Sequence, residues 1–165
     1  MHPEAKTFRD TFLANFEFPI QARFYPLGFP LDLETNSEDV LRAAQEEWGS
    51  FTPQFDETPV RLCLGVSDQD EAPPVSEPRM ASQDHLITSV WDSSTFVVCD
   101  MRGGFAFGWL TKSAAADRPC LRYRFLQAFA MSMLVQQFLA PVHAAFVARN
   151  GRGVLLCGDS CAGKS

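Results

Sequence analysis

VHAAFVARNGRGVLLCGDSCAGKS, residues 142–165, places two apolar runs on either side of Asn150-Gly151. Asn-Gly accepts the positive φ angles of a two-residue turn, so VHAAFVA and GVLLC predict the antiparallel strands of a β-hairpin. The second strand leads into Gly158-Asp159-Ser160-Cys161-Ala162-Gly163-Lys164-Ser165, which fits GxxxxGK[ST], the phosphate-binding loop or Walker A pattern. Glycines let such a backbone curl until successive N–H groups form an anion nest. Lys164 is then expected to reach the β and γ phosphates of ATP, and Ser165 to place its hydroxyl on Mg2+. A glycine-rich strand-to-helix turn with a stray lysine is the structural alternative.

Upstream, Asp117 with Pro119 in the following turn predicts a helix running to about Phe138, with Leu121, Phe125, Phe129 and Met133 on a shared face. Residues 125–148 form a long apolar stretch, but Gln127, Gln136, Gln137, Pro141 and His143 would be costly in lipid. The stretch therefore reads as a buried helix followed by a strand, with no membrane association expected. HLITSVW (85–91), STFVVCDM (94–101) and GGFAFGWL (103–110) are separated by short turns and predict an antiparallel meander.

VRLCLGV (60–66) is a further strand, and FEFPIQARFYPLGFPLDLET (16–35) holds β-formers broken by prolines, suggesting edge or irregular strands. Thr35 and Glu38 spell a capping box before a helix whose Val40, Leu41, Ala44 and Trp48 share one face up to Gly49. SDQDEAPPVSEPRMASQ (67–83) is polar and proline-rich and predicts an exposed loop, in which Asp68, Asp70 and Glu71 are solvated charges. The expected fold class is α+β: a mostly antiparallel sheet with two helices, ending in a β-hairpin that leads into a P-loop.

The composition fits a folded globular chain, with 46% hydrophobic and 21% charged residues. A net charge of −6 with scattered basic residues argues against a nucleic-acid partner. MHPEAKTFRD lacks the apolar segment of a secretory signal, so a cytoplasmic location is expected. Five cysteines (63, 99, 120, 157 and 161) without a CxxC pair predict reduced thiols, with no disulfide framework or zinc site.

The last 25 or so residues resemble the entrance to the catalytic domain of HPr kinase/phosphorylase, the bacterial enzyme that phosphorylates a serine of the carrier protein HPr. That family shows a His-containing strand, a short turn, a GVLL-like strand and a GDSGxGKS loop at this spacing. The resemblance implies that His143 and Lys164 are catalytic, with His143 near the transferred phosphoryl group. It implies an HPr-like protein substrate and, by analogy, an oligomer. Cys161 departs from the family's usual glycine: the plainer reading is a tolerated small residue, and the alternative is a side chain that disfavours the loop's backbone geometry. A thiol there, beside a helix amino terminus, would also have a lowered pKa and be open to oxidation.

Residues 1–140 match nothing of the family's amino-terminal domain and are expected to form a separate α+β region, with 141–165 opening an incomplete P-loop catalytic domain. The helix that completes the anion site, and an acidic pair to hold Mg2+, are expected beyond Ser165. These 165 residues alone are therefore expected to bind ATP weakly or not at all. Two other readings stay open: a protein- or effector-binding module with a remnant P-loop, and another P-loop small-molecule kinase or ATPase.

Overall fold

The computed structural model describes residues 17–67 and 77–159. Strand β1 (Ile20–Phe24) runs antiparallel to β2 (Leu31–Thr35), and helix α1 (Glu38–Trp48) crosses over to β3 (Val60–Val66), parallel to β2. A meander follows, made of β4 (Arg79–Gln83), β5 (Leu86–Val90), β6 (Phe96–Asp100) and β7 (Phe105–Leu110). The strand order is β1-β2-β3-β7-β6-β5-β4, and β7 lies parallel to β3. The fold class is thus the expected one, α+β with a mostly antiparallel sheet.

Pleat alternation assigns the two faces of this sheet. Leu31, Leu33, Leu62, Leu64, Val97, Cys99, Ala106 and Leu110 are buried on one face. The opposite face carries the Arg23–Asp32 pair (2.7 Å), the Arg61–Glu34 pair (2.5 Å) and half-buried Phe105, Phe107 and Trp109. The core is therefore one-sided, and the helices supply its second layer. Val40, Ala43, Ala44 and Trp48 of α1 are all buried in it.

The capping box does not form. Thr35 is the last residue of β2, and its hydroxyl donates to the Leu64 carbonyl at 2.6 Å while accepting from the Ser37 amide at 3.2 Å. Ser37 takes the N-cap position without a side-chain bond, and Glu38 and Asp39 in the first turn complement the helix dipole instead. A buried hydroxyl beside a strand partner is better satisfied across the sheet than at a solvent-facing helix end.

After the short helix α2 (Lys112–Ala116), α3 (Arg118–Cys120) continues through π-helical turns at Leu121–Gln127 into α4 (Ala128–Gln137). Asp117 caps this run as expected, accepting from the Cys120 amide at 3.1 Å. Leu121, Phe125, Phe129 and Met133 are at most 3% exposed. Four-residue steps drift by about 40° each around an α-helix, which would carry the last of them off the core. The wider π turns take up that drift.

One loop expectation and one strand expectation change. Arg79–Gln83, inside the predicted polar loop, is an edge strand exposed along its whole length, and 68–76 lies outside the described residues. Within 16–35, β1 is an edge strand as expected, but β2 is interior, because Pro26 and Pro30 fall outside it and cost it no ladder bond.

The last two strands, β8 (Ala144–Arg149) and β9 (Arg152–Cys157), form a separate antiparallel sheet. Asn150 (φ 52°) and Gly151 (φ 72°) turn the predicted hairpin. Among the described residues no helix is long and apolar enough to cross a membrane.

Candidate functional site

Sequence reasoning directs attention to the open end of the β8–β9 hairpin. Its register pairs Ala144 with Cys157, Phe146 with Leu155 and Val147 with Val154. His143 directly precedes Ala144 and Gly158 directly follows Cys157, so the ladder delivers both to the same end of the hairpin. His143 lies one residue before the strand rather than within it, and it is solvent-exposed. Gly158 and Asp159 are also exposed. Ser160, Cys161, Ala162, Gly163, Lys164 and Ser165 lie outside the described residues, as do Asp68, Asp70 and Glu71.

The hairpin is apolar on both sides. Phe146 and Leu155 project to one face, and Val147, Val154 and Leu156 to the other, with exposures between 47% and 65%. Only Arg149 and Arg152, paired across the strands beside the turn, break this character. Strands with two apolar faces suit a sheet that is covered on both sides.

No family model, curated protein or solved structure matches this chain. Its chemistry must therefore be read from its own residues. Among the described residues, no group of three or more His, Cys, Asp or Glu side chains is placed to hold a metal ion. Ser165, the expected Mg2+ ligand, lies outside them.

One polar cluster escapes the sequence reading. Asp84 and His85 form the two-residue turn between β4 and β5, and Asp100 and Arg102 lie at the neighbouring β6–β7 connection. His85 Nδ1 is 2.9 Å from the Asp84 carboxylate, and Nε2 is 3.8 Å from that of Asp100. The hydrogen bond from His85, and then the charge of Arg102, hold the Asp84 carboxyl below its ordinary range. The only signal was the Asp-His dipeptide between two segments, and the polar reading of 67–83 hid the first of them.

Four of the five cysteines lie among the described residues. Cys63 and Cys99 are buried, and burial, with the nearby Asp100 carboxylate, pushes the Cys99 thiol up to about 12. Burial also raises the Cys120 thiol, and Cys157 is exposed at the end of β9. No disulfide joins these four. Cys161 is outside the described residues.

Proposed function

We propose that this chain contributes the nucleotide-binding entrance of an ATP-dependent, HPr kinase-like protein serine kinase. The observation that carries the reading is the hairpin register, which puts His143 beside the start of the glycine-bracketed loop. A strand that runs directly into that loop is the context a Walker A sequence requires. The two-sided apolar character of β8–β9 further supports a role inside a nucleotide-binding sheet.

In this reading the backbone amides from Gly158 to Gly163 cradle the phosphates of ATP, Lys164 reaches the β and γ phosphates, and the Ser165 hydroxyl meets Mg2+. His143 sits near the transferred phosphoryl group, stabilising charge or moving a proton. The acceptor is the serine of an HPr-like carrier protein.

The test is phosphoryl transfer in the full-length gene product, supplied with labelled ATP, Mg2+ and an HPr-like carrier. Label should appear on a carrier serine. It should be lost in Lys164→Ala and fall by about 100-fold or more in His143→Ala. Label on a small molecule instead would favour a small-molecule kinase. Absence of Mg2+-dependent ATP binding would leave only the remnant-loop reading.

A further inference from the structure

The sheet is broader than the helical layer that covers it. The helix from Leu121 to Gln137 packs over β3 and β6, while β4 and β5 extend beyond it. The gap is a groove of about 420 Å3, with Met80, Ile87, Ser89 and Trp91 on the strand side and Tyr123 and Arg124 on the helix side. That volume falls within the range of small-molecule sites, which combine apolar walls with a few polar groups.

Three observations distinguish this groove from a packing defect. Ser89 is only 2% exposed and lines the groove, yet its hydroxyl makes no hydrogen bond with any described residue. A hydroxyl that opens only onto the groove can exchange water for a ligand group there. Arg118 and Arg122 are held by Glu46 and Glu47, at 3.1 Å and 2.8 Å, whereas Arg124 makes no ion pair among the described residues. Arg124 stands on the π-helical turns, a distortion that recurs at functional sites. Finally, Trp91 is stacked on buried Phe125 at 4.6 Å between centroids, which fixes the indole as a rigid wall.

We propose that this groove binds a small aromatic monocarboxylate carrying a ring hydroxyl. Arg124 takes the carboxylate, the Trp91–Met80–Ile87 wall takes the ring, and Ser89 hydrogen-bonds the ring hydroxyl. Glu77, which also lines the groove, repels a dianion more strongly than a monocarboxylate and so favours the latter over phosphate. The site is independent of the nucleotide reading and fits an effector.

The experiment follows the Trp91 indole N–H by NMR, assigned with Trp91→Phe, during titration with 3-(4-hydroxyphenyl)propionate. A saturable shift is expected, weakened about tenfold by Arg124→Gln, a substitution at an exposed position that leaves the fold intact. Unhydroxylated 3-phenylpropionate should bind several-fold more weakly, and Ser89→Ala should abolish that difference. Three outcomes would each overturn the proposal: no saturable shift up to about 5 mM, equal affinity for the neutral amide of the same ligand, or displacement by inorganic phosphate.

Discussion

Gly65 of β3 and Trp109 of β7 face one another across the parallel seam, and the Trp109 indole occupies the space where a Cβ on Gly65 would stand. Glycine here makes room for a neighbour, since no positive φ requires it. Gly65→Ala should force the indole aside and cost about 1–3 kcal/mol. Urea unfolding followed by tryptophan fluorescence reads both effects, and an unchanged midpoint would show that the seam has slack.

Asp84 makes stability depend on pH in a defined direction. Its folded carboxyl is held below the ordinary value of 3.8, so its contribution is fully present above that value and lost as pH falls through the lower folded one. Asp84→Asn removes the charge but keeps a side chain suited to the residue's φ of 53°. The variant should unfold at lower urea than the parent at neutral pH, and the two midpoints should converge as acid protonates the folded Asp84 carboxyl.

Thiol accessibility should follow depth. Among the four described cysteines, iodoacetamide is expected to alkylate Cys157 first and Cys120 more slowly, leaving Cys63 and Cys99 intact until urea unfolds the sheet. Peptide mass spectrometry after timed quenching gives the order. Early modification of Cys99 would mean that β6 opens far more readily than its burial implies.

The hairpin should respond on its own. Gly151→Ala meets no atom within 4 Å but places an L-residue at φ 72°, a strain of about 1–2 kcal/mol. Amides of β8 and β9 should then exchange about 5- to 30-fold faster. Those of the larger sheet should be unchanged, because no ladder joins the two.

Legibility tracked how local each determinant was. Asn150-Gly151 and the Asp117 cap spell their turn and helix start within a few residues, and both stand where the sequence places them. Thr35 and Glu38 spell a cap equally well, but the Thr35 hydroxyl is claimed by Leu64 on another strand. β4 was illegible because an edge strand exposed on both faces needs no hydrophobic alternation. The π turns leave no compositional mark, and only the four-residue spacing from Leu121 to Met133 hints at them. As for sites, the hairpin leading to Gly158 was readable from one segment. The groove was not, since Ser89 and Arg124 meet only once the helix has packed on the sheet.

The parallel seam between β3 and β7 also sets a sequence of events in time. Hairpins β4–β5, β5–β6 and β6–β7 close over short loops and can form early and independently. Pairing Arg61 with Phe105 must close a loop that contains β4, β5 and β6, so it pays the largest loop entropy in the sheet. The chain should therefore assemble as two halves that join late along this seam, and Gly65 and Trp109 mark the place where a folding intermediate would still be open.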